Sequence, residues 1–295
     1  MDQLDRIARR LDGRRIVITG AGSGIGRALA VTAARAGAWP ALADVDAEGL
    51  AITLQLVDQA ARTDGGATPD VLGEVLDVSD RAAVRAFAAQ VADAGGADVV
   101  VNNAGVSSSG RVTDLSQQTL EHTMAVNFWG VVHGTQAFLP QLLARPWAAL
   151  ANVSSVFGLL GVPGQAAYCA SKFAVRGFTE ALRQEVRGTG LTVTVVHPGG
   201  VRTAIAQRSR SDFPVGPDVL LAALRDWEAQ PMLSPEEAAM EILLGTVEGR
   251  PRVLVGDDAR FLDDVSRTPL EAQDDIVDTY LRRGPIWEAL AHPAV

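Results

Sequence analysis

The sequence predicts an α/β fold in which helices cover both faces of one parallel sheet of about seven strands. Two observations predict it. Short apolar, β-branched runs alternate with longer amphipathic stretches along the chain, and a glycine-rich turn directly follows the first of these runs. Alternation of this kind is typical of βαβ units, whose strands are buried between two layers of helices.

Each apolar run is taken as a strand and each amphipathic stretch as a helix. The predicted strands are Arg15–Thr19, Trp39–Ala43, Val71–Asp77, Asp98–Val101, Ala148–Ser154, Thr192–His197 and Arg252–Val255. The predicted helices are Gly24–Ala36, Asp46–Arg62, Asp80–Ala94, Asp114–Ala144, Ala166–Arg187 and Pro235–Glu248. The length of 295 residues allows either one large domain or two smaller ones.

Composition and charge restrict the classes of partner and compartment. The net charge of −9 argues against nucleic acid or an anionic membrane as a partner. Cys169 is the only cysteine, and the charged stretch Met1–Leu11 lacks the apolar segment of a signal peptide. No apolar run approaches the roughly 20 residues of a membrane span. We therefore expect a cytoplasmic protein, and the spacing of the four histidines predicts no metal site.

The glycine-rich turn reads Thr-Gly-Ala-Gly-Ser-Gly-Ile-Gly over residues 19–26. Glycines between a strand and a helix let the backbone approach a pyrophosphate, which then lies at the helix N-terminus. Asp44 ends the second strand, where a carboxylate can bind the adenosine ribose and repel a 2′-phosphate. Neither Ser23 nor Val45 supplies a cation nearby, so NAD is favoured over NADP. The alternative is that Asp44 is a solvated loop residue.

Tyr168 and Lys172 are four residues apart, so on a helix they lie on one face, one turn apart. Lys172 is the only lysine in a chain that otherwise uses arginine as its basic residue. A cation beside a phenol lowers its pKa and prepares it for proton transfer to or from an oxygen. Ser155 lies at the end of the preceding strand and could hydrogen-bond the same substrate oxygen. The alternative is a core tyrosine with a solvated lysine.

The glycine spacing Gly-x-x-x-Gly-x-Gly and the downstream Tyr-x-x-x-Lys together resemble the short-chain dehydrogenase/reductase family, over about Gly13 to Gly256. The resemblance implies one doubly wound, Rossmann-type domain, which excludes the two-domain alternative. It also implies a catalytic set of Asn127, Ser155, Tyr168 and Lys172.

The resemblance further implies a set of coenzyme-binding residues. They are Gly20, Ser23, Gly24, Ile25, Gly26, Asp44, Asp77, Val78, Asn103, Ala104, Gly105, Tyr168, Lys172, Pro198, Gly199, Val201 and Thr203. Among them, Asp77 with Val78 matches the adenine-contacting position. The segment 198–203 matches the one that contacts the nicotinamide amide, and Lys172 is expected to bind the nicotinamide ribose.

We expect residues 1–256 to form the dinucleotide-binding and catalytic domain, with residues 204–233 as a mobile lid over the substrate. Residues 257–295 are expected to be a C-terminal extension packed on the same domain. Apolar residues near Ser155, namely Phe157, Leu159, Leu160 and Val162, favour a hydrophobic substrate, although any of them could be ordinary core.

The predicted function is therefore an NAD(P)-dependent oxidoreductase that interconverts a secondary alcohol and a ketone, with Tyr168 as general acid/base. Two alternatives remain: an isomerase or epimerase of the same fold, and a catalytically silent nucleotide-binding regulatory protein. The resemblance also implies a homo-oligomer, a homotetramer or homodimer built through the helices at 114–144 and 166–187.

Overall fold

The computed structural model describes residues 2–63, 70–281 and 284–291. Within these ranges, seven strands form one sheet in the order β3-β2-β1-β4-β6-β7-β9, and every neighbouring pair is parallel. Two further short strands, β5 and β8, pair with each other. The strands are β1 Arg15–Thr19, β2 Trp39–Asp44, β3 Leu72–Val75, β4 Val99–Asn102, β5 Ser108–Ser109, β6 Ala148–Val153, β7 Leu191–Pro198, β8 Arg210–Ser211 and β9 Arg252–Val255.

Helices cover both faces of the sheet. They are α1 Gln3–Leu11, α2 Gly24–Arg35, α3 Ala47–Thr63, α4 Arg81–Asp93, α5 Gln117–Met124, α6 Gly130–Leu143, α7 Ala166–Glu185, α8 Pro217–Glu228, α9 Pro235–Val247, α10 Asp257–Val265, α11 Leu270–Ile276 and α12 Pro285–Ala291. One apolar core lies under α1, α2 and α9, and a second lies under α4, α6 and α7. The predicted single domain with a two-sided parallel sheet is confirmed.

The central strands have apolar side chains on both faces because each face meets a layer of helices. In β1, Ile16 and Ile18 belong to the first core, whereas Val17 belongs to the second. Alternate residues of a strand point to opposite faces, so a strand between two cores is a continuous apolar run. This is why β1 could be recognised in the sequence.

The strand order reverses between β1 and β4, which are neighbours in the sheet although β2 and β3 lie between them in the chain. Chains that leave these two strands turn away in opposite directions and open a crevice at the carboxyl edge. The glycine-rich turn follows β1, and residues 103–105 follow β4. The candidate site therefore lies at this edge.

Some predicted boundaries were wrong. The helix expected at Asp114–Ala144 begins only at Gln117, because the Ser116 hydroxyl accepts from Thr119 N as its N-cap. A π-helical turn, Ala125–Trp129, separates α5 from α6. The third strand covers only Leu72–Val75 of the expected Val71–Asp77. The stretch before Gly13 contains an unpredicted helix, α1, whose Ile7 is buried.

The segment 204–233 and the chain beyond Gly256 contact each other at the rim of the carboxyl edge. Within the segment, β8 pairs with β5, and α8 has no buried residue. The rings of Phe213 and Trp287 meet edge to face with centroids 5.9 Å apart. Farther back, Leu262 of α10 packs with Val156 and Leu160, which follow β6. Among the described residues, no helix has both the length and the apolarity needed to cross a membrane.

Candidate active site

The turn after β1 is built from glycines that leave no room for side chains. Gly20 has a φ of +67°, and a Cβ on it would lie 2.7 Å from the Cα of Ala104. A Cβ on Gly26 would collide with the carbonyl oxygen of Gly20. Only glycine allows this backbone to turn so tightly at the start of α2.

The remaining residues of the turn face the crevice or the first core. Ser23 is the N-cap of α2 in an extended conformation, yet its hydroxyl makes no capping bond. Gly24, with a φ of +50°, lies against the side chain of Thr203, which would be 2.9 Å from a Cβ at that position. Ile25 packs against the first core. The structure thus brings Thr203 to the glycine turn across a long stretch of sequence.

Asp44 lies at the end of β2 and faces the same turn. Its Oδ2 accepts a hydrogen bond from Gly22 N at 2.7 Å, and its Oδ1 accepts from Asp46 N at 2.8 Å. A Cβ on Gly22 would lie 2.8 Å from the Asp44 carboxyl carbon. Asp44 is therefore part of the crevice wall and is not a solvated loop residue.

Two arginines lie close to the residues that Asp44 contacts, Gly22 and Asp46. Arg208, from the segment 204–233, forms an ion pair with Asp46 at 3.5 Å. Arg27 of α2 donates to the carbonyl oxygens of Gly22 and Gly49. Positions 23 and 45 supply no cation, as the sequence showed, but these arginines come from other parts of the chain. Arg208 is distant in sequence, so nothing local indicated its position.

The residues after β4 line the other side of the crevice. Thr19 Oγ1 accepts hydrogen bonds from both Asn103 N and Ala104 N at 3.1 Å. The Asn103 side-chain amide donates to the carbonyl oxygens of Thr19 and Gly20. These bonds fix the carboxyl ends of β1 and β4 to each other beside the glycine turn.

Asn127 is fully buried inside the π-helical turn. Its amide forms two hydrogen bonds with one residue, because Oδ1 accepts from Val106 N at 2.8 Å and Nδ2 donates to Val106 O at 3.0 Å. Nδ2 also donates to Ser171 Oγ at 3.0 Å. A Cβ on Gly105 would lie 3.2 Å from Asn127 Oδ1 and 3.3 Å from Lys172 Nζ, so these two side chains approach the same backbone point.

Ser155 follows β6 and caps the 3-10 turn Val156–Gly158, where its Oγ accepts from Phe157 N at 3.2 Å. The preceding Ser154 points elsewhere, because its hydroxyl donates to the Lys172 carbonyl at 2.8 Å. Ser155, and not Ser154, is therefore the serine that faces Tyr168. A hydrogen bond from Ser155 acts on the phenol of Tyr168 and lowers its pKa.

Tyr168 and Lys172 lie one turn apart on α7, with Lys172 Nζ 5.6 Å from the centroid of the Tyr168 ring. Lys172 is only 3 % exposed, and Nζ donates to Val153 O at 3.1 Å. Tyr168 is partly buried, and its ring meets that of Phe157 edge to face at 6.2 Å. The lysine is therefore not a solvated surface residue.

The pKa of Tyr168 moves in the direction opposite to the one that the sequence suggested. Burial raises the pKa of Tyr168 to about 12, although the hydrogen bond from Ser155 opposes the rise. Burial also lowers the pKa of Lys172 to about 8. Removing both groups from water favours the neutral form of each, so burial is the largest cause of both shifts.

Two predicted adenine-side residues lie beyond β3. The Asp77 carboxylate accepts from Ser79 N at 2.8 Å and is exposed. Val78 is buried against Gly130, where a Cβ would lie 2.7 Å from Val78 Cγ2, and its carbonyl meets His133 Nδ1 at 3.0 Å. Both residues are at the carboxyl edge, next to the end of β2.

The segment after β7 is held from behind by the C-terminal extension. Pro198 ends β7, and the carboxylate of Asp258 on α10 lies so close to Gly199 that no Cβ would fit. Asp258 Oδ2 accepts from Gly200 N at 2.6 Å. Val201 is buried and forms an isolated bridge with Leu233. Sequence reasoning missed Asp258, which has no local motif.

Together these elements border the carboxyl edge of the sheet at the point where the strand order reverses, which is where open α/β sheets bind dinucleotides. A Cβ on Gly20, Gly22 or Gly24 would collide with neighbouring protein atoms, and Asp44 accepts a hydrogen bond from the glycine turn. Asn127 and Lys172 approach Gly105, which follows β4, and the Tyr168 ring lies 5.6 Å from Lys172 Nζ. Fold and site together define a Rossmann-type oxidoreductase.

The family assignment rests on sequence similarity. A family model described as short chain dehydrogenase matches residues 14–213. A putative oxidoreductase, SadH, of Mycobacterium tuberculosis strain H37Rv is 46 % identical over 259 residues, which cover 87 % of this chain and 91 % of the relative. The 3-oxoacyl-[acyl-carrier-protein] reductase FabG of Thermotoga maritima is 34 % identical over 200 residues, 68 % of this chain and 78 % of that protein.

Solved structures agree with this assignment. A short-chain dehydrogenase/reductase from Burkholderia phymatum in complex with NAD superposes with a TM-score of 0.75 at 32 % identity, covering 94 % of this chain and 97 % of that one. Levodione reductase superposes with a TM-score of 0.70 at 27 % identity, covering 85 % and 94 % of the two chains. The chain belongs to the short-chain dehydrogenase/reductase family.

Proposed function

We propose that the protein interconverts a hydrophobic secondary alcohol and the corresponding ketone, with NAD as the preferred coenzyme. The observation that carries the proposal is the convergence of Ser155, Tyr168, Lys172 and Asn127 beside the glycine turn. A bound nicotinamide supplies the hydride chemistry, and the side chains supply the proton and the geometry.

In this proposal, the Tyr168 hydroxyl is the group that exchanges a proton with the substrate oxygen. In ketone reduction the phenol donates that proton, and in alcohol oxidation the phenolate accepts it. With a pKa near 12 in the protein alone, the phenol holds its proton at neutral pH. Reduction therefore starts from the form of Tyr168 that is already present, whereas oxidation requires its pKa to fall.

Two neighbouring groups, Ser155 and Lys172, favour the lower pKa of Tyr168 that oxidation requires. The Ser155 hydroxyl donates a hydrogen bond that favours the phenolate and can also orient the substrate oxygen. With a pKa of about 8, Lys172 is still mainly protonated at neutral pH, so its charge favours the phenolate too. Asn127 holds the backbone at Val106 and contacts Ser171, whose hydroxyl donates to the Tyr168 carbonyl at 2.7 Å. We propose that Asn127 stabilises this arrangement and contributes to a proton path along it.

The apolar wall beside the site supports a hydrophobic substrate. Phe157 lies against Tyr168, and Phe213 of the segment 204–233 is buried above Gly164. Leu159 and Leu160 are core residues at 5 % and 2 % exposure, so they are not part of the wall. We propose that the segment is a lid, because α8 contacts α12 and has no buried residue that would anchor it to the core.

Asp44 supports NAD over NADP, since its carboxylate at the end of β2 would repel a 2′-phosphate. The charge of Arg208 is neutralised by Asp46. We expect Asp44→Ser to reduce kcat/KM with NAD by about tenfold and to raise it with NADP. Adding Asp46→Asn, which frees Arg208, should raise NADP use further. Higher activity with NADP than with NAD in the unaltered protein would contradict this choice of coenzyme.

We further propose a homotetramer or homodimer that pairs through the outer faces of α5, α6 and α7. Large apolar side chains are exposed in the single chain on α7, where Phe173 is 40 % exposed, and on the π-helical turn between α5 and α6, where Trp129 is 51 % exposed. Light scattering after size exclusion measures the state directly. A Trp129→Glu variant should dissociate, and a monomeric unaltered protein would refute the proposal.

The decisive experiment follows nicotinamide absorbance with NAD or NADP and a panel of apolar secondary alcohols and ketones. Tyr168→Phe should abolish turnover and leave NADH affinity nearly unchanged, because it removes one hydroxyl without changing the ring. Substantial residual turnover would refute the role of Tyr168. Product formation without net change in absorbance would favour an isomerase or epimerase, and tight NADH binding without any reaction would favour a regulatory protein.

A further inference from the structure

The side chain of His197, on β7, contacts the backbone of the proposed catalytic serine, Ser155. His197 is the last residue but one of β7, is fully buried, and places its Nδ1 2.7 Å from the carbonyl oxygen of Ser155. A carbonyl oxygen can only accept, so Nδ1 carries the proton and donates it. This contact fixes the tautomer of the imidazole.

Apart from the bond between its hydroxyl and the Tyr168 phenol, Ser155 makes three hydrogen bonds among the described residues, and only the one with His197 comes from outside its own turn. Its carbonyl accepts from Gly158 N at 3.0 Å, and its hydroxyl accepts from Phe157 N at 3.2 Å. Both donors belong to the short stretch that Ser155 itself caps. His197 is the side chain that ties Ser155 to β7, next to the backbone bond from Ser154 N to Val196 O at 2.8 Å.

The other ring nitrogen shows that His197 is not an acid–base group. Nε2 is buried and has no hydrogen-bond partner among the described residues. Burial lowers the pKa of His197 to about 4; the hydrogen bond with Ser155 and the charge of Asp263 oppose the fall, and the charges of Arg252 and Arg176 add to it. The imidazole is thus neutral throughout the physiological range, with a single proton directed at Ser155.

We propose that His197 is a positioning residue for Ser155: its Nδ1–H holds the serine backbone so that the hydroxyl faces Tyr168. The inference rests on the proposed function, in which Ser155 acts on the substrate oxygen and on the phenol. An apolar side chain of similar size would fill the same space, so the buried donor needs a reason beyond packing. A shift of about 1 Å in a reacting group can cost about a hundredfold in rate.

Two substitutions separate positioning from packing. His197→Leu keeps an apolar volume and removes the donor, whereas His197→Asn can place its Nδ2 where Nδ1 is now. Thr194→Val is the matched control. Thr194 is also fully buried on β7, and its hydroxyl donates to Arg250 O at 2.7 Å, away from the site. Each of the Leu and Val variants loses one buried hydrogen bond.

We expect His197→Leu to lower kcat by at least about tenfold, with the Kd for NADH, measured by fluorescence, unchanged within about twofold. His197→Asn should recover most of the loss. Thr194→Val should lower the Tm by a similar amount to His197→Leu and leave kcat unchanged.

The pH profile gives a second readout that lost stability would not change. A displaced Ser155 hydroxyl no longer lowers the pKa of Tyr168, so the rising limb of alcohol oxidation should move to higher pH in His197→Leu. The titratable groups that act on Tyr168 are Lys172 and Cys169 of the same helix, and no variant changes them. The groups that act on His197, namely Arg176, Arg252 and Asp263, are unchanged as well.

Unchanged kcat in His197→Leu, equal losses of kcat in His197→Leu and Thr194→Val, or failure of His197→Asn to recover activity would overturn the positioning role and leave the proposed function intact. A ¹⁵N NMR signal showing the proton on Nε2 would overturn it independently of activity. Absence of Tyr168-dependent turnover in the unaltered protein would instead refute the proposed function, and the positioning role with it.

Discussion

At the scale of single residues, burial decides the properties of the Tyr168–Lys172 pair. The spacing predicted that both side chains would share one face of a helix, and they do. The direction of their pKa shifts could not be predicted, because it depends on how much water each group loses in the folded protein. The spacing in the sequence shows that the two side chains are neighbours on the helix. How much water they lose depends on strands and loops that are distant along the chain.

Lys172 should therefore cost the protein stability. Its pKa is 10.5 in an exposed chain and about 8 in the fold, so folding disfavours the ammonium. The cost is complete below about pH 8, declines as the pH rises, and disappears above about 10.5, where the amine is neutral in both states. We expect Lys172→Met to raise the free energy of unfolding by about 2 kcal/mol near neutral pH and to change it little near pH 10.

Urea unfolding at the two pH values measures this effect, with Arg183→Met as a control that removes a more exposed cation from the same helix. The same Lys172→Met variant should have lost its turnover, as expected when a buried charge is retained for function. A less stable Lys172→Met variant near neutral pH would contradict the prediction.

At the scale of elements, the regular parts of the fold were predictable and the irregular parts were not. β1, β4 and β6 are buried on both faces, so their apolar runs stand out in the sequence. The π-helical turn at Asn127 left no such signal, because it changes the hydrogen bonding of a helix without changing its apolar pattern. The hydrogen bond from Gly200 N to Asp258 of α10 could not be predicted either, because the two residues are 58 positions apart.

The hydrogen bond between Gly200 and Asp258 should strengthen coenzyme binding. Asp258→Ala removes the acceptor for Gly200 N and loosens the segment that follows β7, so NADH should bind about fivefold more weakly. Asp258→Asn keeps a side-chain oxygen, so its NADH affinity should lie between those of the unaltered protein and of Asp258→Ala. The control is Asp257→Ala, because Asp257 is fully exposed and pairs only with Arg260 among the described residues. Equal NADH affinity in all variants, measured by fluorescence titration, would exclude this role.

At the scale of the whole molecule, a chain of ion pairs joins α7 to the C-terminal extension. Glu180 of α7 contacts Arg252 of β9 at 3.0 Å, and Arg252 contacts Asp263 of α10 at 2.7 Å. Asp263 also pairs with Arg267 at 2.6 Å. Burial raises the pKa of Asp263, but the hydrogen bonds and charges of the two arginines outweigh it, and the net pKa is below its usual range.

Asp263 is 5 % exposed, so its loss leaves Arg252 partly buried without one of its partners. We expect Asp263→Ala to lower the free energy of unfolding by about 2 kcal/mol. The comparison is Asp264→Ala on the same helix, which should change it by less than about 0.5 kcal/mol. Thermal and urea unfolding give both values, and similar losses in the two variants would show that this network does not hold the extension in place.

The rarity of lysine has a consequence for proteolysis. A protease that cleaves only after lysine has a single target bond in this chain, the one that follows Lys172. That bond lies inside α7, and the Lys172 side chain is buried, so the folded chain should resist cleavage until the helix opens. One cut would give two fragments that a gel resolves. Slower cutting with NAD than with NADP would then reveal the coenzyme preference before any substrate is found.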